Sequence, residues 1–195
     1  MLYLSKLDLN PHSRAALHDF GDPDETHRTL CTALGGRRVD LGLLHRAETS
    51  SQGEYILAQS IQAPDWSRLP RAYTIEPPGI KAFNPRIPQG AICHFRLRAN
   101  PNRKSSEDGR RRGLDDGNEQ VSWLERQASR SGFRVLQVVP HSQEMIPIRG
   151  IRCLAVTFDG ILLVEEEELC LGAVTAGIGR EKAFGMGLLS LRQVG

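Results

Sequence analysis

The residues best suited to holding a phosphate lie close to the end of the chain. Gly177, Gly179, Gly185 and Gly187 frame a basic pair, Arg180 and Lys182, and an apolar stretch runs from Leu188 to Leu191. Glycine carries no Cβ, so a backbone rich in it approaches a ligand closely. Basic side chains in the same loop make a phosphate the natural ligand. The spacing is not that of a nucleotide loop. Lys182 stands where G-x-G-x-x-G needs its third glycine, and the sequence has no G-x-x-x-x-G-K-[ST]. A polymeric phosphate is therefore expected. The competing reading is a tight helix-to-strand connection whose glycines serve packing alone.

A second concentration of charge supports the first. Arg96, Arg98, Arg103, Lys104, Arg110, Arg111 and Arg112 share one stretch with only two acids, Glu107 and Asp108. That local excess of five (seven minus two) is larger than the net charge of the whole chain, +2. A basic stripe is the electrostatic footprint of a nucleic-acid binder; a solvated loop that aids solubility would look the same. Six histidines (His12, His18, His27, His45, His94 and His141) offer proton transfer near neutral pH. No two of them have metal-ligand spacing, and Cys31, Cys93, Cys153 and Cys170 form no C-x-x-C pair, so no metal and no cofactor is expected. The cysteines read as reduced thiols of a cytoplasmic protein. The longest uncharged run, Leu169 to Gly179, is shorter than the about 20 apolar residues of a membrane span.

The elements that must position these groups follow from periodicity and punctuation. Leu2 to Leu9 reads as a strand ended by Asn10-Pro11. Asp22 and Pro23 open a helix as N-cap and first residue, and Gly35-Gly36 close it. Strands are expected at Leu41–Glu48 and Glu54–Ile61. Residues 62–88, rich in proline, are expected to be loop with one short helical turn near Trp66. A strand at Ala91–Ala99 follows, with Phe95 inward and Arg96 and Arg98 outward. Asn100 to Asn118 reads as a long loop or projecting hairpin. Then come a helix at Val121–Ser131, strands at Phe133–Val139 and within Ile151–Val164, a helix at Glu165–Ala176 and a strand at Leu188–Leu191. Trp66 and Trp123 read as core residues. The second half has the order βαββαβ, the ferredoxin-like pattern, and the first half begins the same way. The expected fold class is α+β, two tandem ferredoxin-like domains, 1–88 and 89–195.

Short motifs in a fixed order then tie the chain to a family. They are Leu2-Tyr-Leu-Ser-Lys-Leu, Asn10-Pro11 with Ser13-Arg14, Asp22-Pro23 with His27-Arg28-Thr29-Leu30, Pro64-Asp65-Trp66-Ser67, Phe95-Arg96-Leu97-Arg98-Ala99-Asn100-Pro101, Trp123-Leu124, Phe158-Asp159-Gly160, and the terminal Gly177-Ile178-Gly179 with Gly187-Leu188-Leu189-Ser190-Leu191. The chain resembles the CasE family, the CRISPR repeat-processing endoribonucleases of type I-E systems. The resemblance implies two ferredoxin-like domains and a metal-independent cut at the 3′ side of a hairpin in repeat RNA. It also implies a protein that is a monomer when isolated, keeps its product, and joins the other subunits of a surveillance complex.

Such a cut uses the 2′-OH of the substrate, which attacks the adjacent phosphate and leaves a 2′,3′-cyclic phosphate and a 5′-OH. It needs a base, an acid and a cation for the phosphorane. The resemblance places the catalytic histidine at His27; Arg28, which follows it, is expected to be catalytic too, partly replacing groups that other members carry. Two positions depart from the family pattern: Asp24 stands where a tyrosine is common, and Thr32 where some members carry a lysine. A carboxylate one turn before His27 can orient its ring, and it also repels the scissile phosphate. Arg96, Arg98, Arg103, Lys104 and Arg110–Arg112 are expected to grip the hairpin, and Gly177, Gly179, Arg180 and Lys182 to hold phosphates near the cut. Two other readings are an RNA-hairpin-binding subunit with little or no turnover and a generic RNA-recognition module. The aromatic pairs that the latter needs are missing from Phe133–Val139 and Leu188–Leu191.

Overall fold

The computed structural model describes residues 1–194, apart from the side chain of His141. The chain divides into two compact units, Met1–Pro85 with Lys182–Gly185, and Arg86–Glu181 with the residues from Met186 onward. By this packing Lys182 belongs with the first unit, although the sequence boundary puts the whole glycine-rich segment in the second.

The first unit runs β1 (Leu2–Asp8), α1 (Arg14–Gly21), α2 (Pro23–Leu34), a four-residue α3 (Arg38–Leu41), β2 (Leu44–Ser50), β3 (Gly53–Ser60) and β4 (Gly79–Phe83). Its strands lie in the order β2-β3-β1-β4, all neighbours antiparallel. That is the ferredoxin-like sheet order. Register sets the buried face. Ser5, Leu7 and Leu9 of the first strand and its extension line up with Ala58, Ile56 and then His45 and Ala47. This face carries the core of Leu7, Leu9, Leu30, Leu43, Ile56, Ala58, Trp66 and Tyr73.

The second helix of a ferredoxin-like repeat is missing from this unit among the described residues. Between β3 and β4 the chain forms only a 3-10 turn at Trp66–Arg68. Pro64, Pro70, Pro77 and Pro78 leave no room for a longer helix. Trp66 fills the space, its indole Nε1 donating to Ser5 Oγ at 2.9 Å. Three features differ from the sequence expectation. β4 lies inside the stretch expected to be loop; it is an edge strand with almost every residue exposed, so it shows no apolar alternation. α1 buries only Ala16 and Asp19 and therefore carries little pattern. β2 starts at Leu44 because Arg38–Leu41 is helical.

The second unit runs β5 (Ile92–Ala99), β6 (Asn102–Lys104), β7 (Arg111–Gly113), α4 (Gly117–Arg130), β8 (Phe133–Ile148), β9 (Ile151–Val164), α5 (Glu167–Ala176) and β10 (Leu189–Gln193). Its sheet order, β10-β5-β9-β8, repeats that of the first unit. β5 alternates as expected, with Phe95 and Leu97 buried between the more open Arg96 and Arg98. β6 and β7 make the hairpin that was one of two expectations for this stretch. β8 runs to Ile148, well past the Val139 end expected, because its far half pairs with β9 in a long ribbon. Gly160 explains its own identity: a Cβ there would lie 2.1 Å from the Gln137 carbonyl oxygen. Trp123 is buried and stacks on Phe158, ring centroids 6.3 Å apart.

One buried network ties α1, α2 and the loop after β3 together. Tyr73 donates its hydroxyl to Asp19 Oδ2 at 2.9 Å. The Asp19 carbonyl accepts from Thr26 Oγ1 and from the Asp22 N–H. Burial, the Asp19 charge and this hydrogen bond all raise the Tyr73 pKa above the usual tyrosine range. Tyr73→Phe should cost about 1.5–3 kcal/mol, since it strips a buried carboxylate of a donor. The raised pKa also has a sign. The unfolded chain loses its tyrosine proton near pH ~10 while the folded chain keeps it, so stability falls as pH rises through ~10 and beyond. Urea denaturation at several pH values should show that fall in the wild type and a shallower one in Tyr73→Phe.

Candidate active site and nucleic-acid interface

The candidate site is built on α2. Asp22 caps the helix as expected, its side chain accepting from the N–H of Asp24 at 2.9 Å and of Glu25 at 3.4 Å. Pro23 takes the first position, and Gly35, at φ +74°, closes the helix in the left-handed conformation. Thr26, Leu30 and Ala33 are the buried stripe. His27 and Cys31 lie one position round from it, at the edge between core and solvent. Both are half-buried.

Cys31 and His45 flank the ring of His27. Cys31 Sγ lies 3.8 Å from each of its nitrogens. The His45 ring stacks beside it, centroids 6.2 Å apart and planes 14° from parallel. His45 is 1% exposed. It comes from β2, on the sheet face that carries Ala58 and Ser5. The sequence reading gave His45 no role. The signal was present in Leu43, His45 and Ala47, which alternate onto one face of the strand, and a polar ring on that face marks an irregular point in the core.

The 3-10 turn Lys182–Phe184 also belongs to this unit and packs on α2 and β2. Gly185 follows it at φ +76°, and a Cβ there would sit 3.6 Å from His45 Nε2. Lys182 is half-buried. Burial first, and then the charge of Arg38, hold its pKa below the ordinary lysine value. Burial pushes the Cys31 thiol up, while the Arg38 N–H and the Arg38 charge act the other way. His27, Cys31, His45 and the Lys182–Phe184 turn thus form one neighbourhood of the first unit. The other expected residues of α2 sit differently. Arg28 is exposed and paired with Glu25. Asp24 lies one turn before His27.

In the second unit Gly177, Gly179 and Gly187 all have positive φ, at 75°, 81° and 88°. The Ile178 N–H donates to the Gly187 carbonyl and the Gly187 N–H to the Arg98 carbonyl, at 2.9 and 2.7 Å. A Cβ at Gly179 would press on the Trp123 ring at 3.3 Å. Backbone conformation and packing therefore already require these glycines. Arg180 is exposed.

The basic stripe is largely paired. Arg96 makes a two-pronged bond to Asp159 at 2.7 and 2.9 Å. Arg98 meets Glu144, Arg103 meets Glu119 at 2.6 Å and Arg112 meets Asp108 at 3.2 Å. Arg111 donates to Asn102 Oδ1 at 2.8 Å. Among the described residues Lys104 and Arg110 have no ion pair, and they sit on or beside the β6–β7 hairpin. The exposed pairs of Arg103 and Arg112 are worth about 0–1 kcal/mol each, so a phosphate can displace their carboxylates at little cost, whereas the Arg98 side chain is only 14% exposed. Among the described residues one cluster could hold a metal ion, His18, Asp19 and Glu25, with ligand atoms within 4.8 Å of one another. Its carboxylates are already engaged by Tyr73 and Arg28. No helix of the described residues is long and apolar enough to cross a membrane.

Comparison with known proteins now adds the lineage. A family model described as CRISPR associated protein matches residues 2–193. The CRISPR-associated endoribonuclease Cse3 of Thermus thermophilus is 37% identical over 212 aligned positions, covering 97% of this chain and 99% of that protein. The CRISPR system Cascade subunit CasE of Escherichia coli is 31% identical, covering 72% of this chain and 75% of that one. The solved structure of Thermus thermophilus Cse3 bound to an RNA representing a pre-cleavage complex superposes with a TM-score of 0.91 at 37% identity, over 98% of each chain. The chain belongs to the CRISPR associated protein family, in the group of Cse3 and CasE.

Proposed function

We propose that this protein is the endoribonuclease that cuts CRISPR repeat RNA and then remains with its product in a Cascade-type surveillance complex. The carrying observation is the half-exposed His27 ring, placed in the same unit as Arg38 and Lys182, in a chain that matches an endoribonuclease along nearly its whole length.

The reaction follows from RNA itself. The 2′-oxygen adjoining the cut forms a bond to phosphorus, and the bond from phosphorus to the 5′-oxygen breaks. His27 is the proton-transfer group, since an imidazole can both give and take a proton near neutral pH. No metal is required, because the nucleophile belongs to the substrate. The products are a 2′,3′-cyclic phosphate and a 5′-OH, and the cut falls at the 3′ side of the repeat hairpin. Asp24, in place of a tyrosine, keeps the rate low by repelling the phosphate. The hairpin of A-form RNA is held through shape and backbone charge, by the β6–β7 arm, Arg96 and Arg98, and by Arg180. The chain acts as a monomer before assembly, in the cytoplasm.

Purified protein mixed with its repeat RNA in excess EDTA should make a single cut. His27→Ala should slow it at least ~100-fold while RNA affinity stays within about threefold. Binding without any cut by the wild type would instead favour a hairpin-binding subunit. In the same assay Asp24→Tyr should cut about tenfold faster; an equal or lower rate removes the inhibitory role of Asp24. Affinity should fall steeply between about 50 and 200 mM salt, and Lys104→Ala with Arg110→Ala should lower the slope of log K against log salt by about 1–2. A flat response would take the hairpin out of the interface.

A further inference from the structure

We propose that His45 is a positioning residue for the cut, a buried ring that sets the plane of the His27 imidazole; this rests on the endoribonuclease reading above. Proton transfer is directional, and a ring nitrogen of His27 has to come within hydrogen-bond reach of the RNA oxygen it serves. The second side-chain torsion of a histidine has only a broad preference of its own. On the rim of α2, contacts from outside the residue therefore have to fix the plane.

The first contact comes from the helix itself. Cys31 lies one turn after His27, and its Sγ is 3.8 Å from each ring nitrogen. An equal distance favours neither nitrogen, so Cys31 limits the reach of the ring without choosing its plane. The second contact comes from the sheet. The His45 ring is within 14° of parallel to that of His27, at a centroid separation of 6.2 Å. Both values lie in the range of offset-stacked aromatic pairs.

His45 is able to impose its plane because it is itself fixed. Strand register puts it beside Ala58, and Ala58 beside Ser5, in one row across the sheet. These two small side chains are buried and leave room for a ring in that row. Trp66 covers the end of the row by donating to Ser5 Oγ. From the other side the Lys182–Phe184 turn packs on β2, and the Gly185 backbone comes up to the His45 ring. All of these residues belong to the first unit. Being 1% exposed, His45 meets no RNA and acts only through His27.

Single-turnover cleavage separates a positioning ring from a core filler. His45→Leu fills similar space without a plane and should slow the cut at saturating protein at least ~10-fold, since small misplacements of a reacting group are costly. His45→Phe restores a flat ring and should recover the rate to within about threefold of the wild type. Repeat RNA with a 2′-deoxy nucleotide at the 3′ foot of the hairpin cannot be cut, and both variants should bind it within about twofold of the wild type. Equal rates in the Leu and Phe variants, or a loss of affinity as large as the loss of rate, overturn the role of His45. Relaxation of ring-labelled histidines in the RNA-free protein reads the same property without any cut. The His27 Cε1–H order parameter should be about 0.8 in the wild type and below about 0.6 in His45→Leu. A wild-type value below about 0.6 overturns the role even where a variant fails to fold. If the wild type binds RNA and does not cut, the nuclease reading falls, and the order parameters alone decide whether His45 holds the ring.

Discussion

The placement of α2 is the constraint on which the site rests. A helix that must bury Thr26, Leu30 and Ala33 has its rotation decided, and His27 is then confined to the rim between core and water. Rotation alone does not hold the helix along its axis. The Asp19 carboxylate, buried under the Tyr73 hydroxyl, and the Asp19 carbonyl, shared by Thr26 and Asp22, do so. A catalytic imidazole needs this kind of rim. Fully buried it would meet no RNA, and fully exposed it would have no fixed orientation. The Asp22 cap and the Gly35 turn complete the arrangement by defining both ends of the helix.

Around that rim the first unit gathers residues that are distant in sequence. His45 arrives through strand register, and Lys182 through a turn nearly a whole chain length away. An imidazole and a half-buried lysine in one unit suit a reaction in which a proton moves and negative charge builds on phosphorus. The half-buried setting strengthens these charges, because fewer waters screen them than at an open surface.

The second unit presents its charge differently. Most of its arginines are neutralised in place by Asp159, Glu144, Glu119 and Asp108. Where they are exposed, as at Arg103 and Arg112, such pairs hold long side chains only weakly. Lys104 and Arg110 on the hairpin arm are the charges immediately available. Bare counts of lysine and arginine overstate what a surface offers, and only the pairing separates reserve from available charge.

Local chemistry was legible without a structure. Asp22-Pro23 and Gly35-Gly36 bounded α2, alternation set Phe95 against Arg96 and Arg98, and the βαββαβ order of the second half gave the fold class, because each depends on neighbours within one turn or one strand. β4 and α1 were not legible, since an exposed edge strand and a thinly buried helix leave no apolar rhythm to read. The histidine itself was legible only through family resemblance, and its surroundings were not legible at all. That His45 stacks on His27, that Cys31 lies against the same ring and that Lys182 packs with the first unit are consequences of register and packing. Sequence determined which segments become helices and strands, because those choices are made by short-range sterics and hydrogen bonding. Tertiary structure alone decided what surrounds the imidazole, because the His45 ring and the Lys182–Phe184 turn packed on α2 come from distant parts of the chain, and no local pattern encodes their closeness.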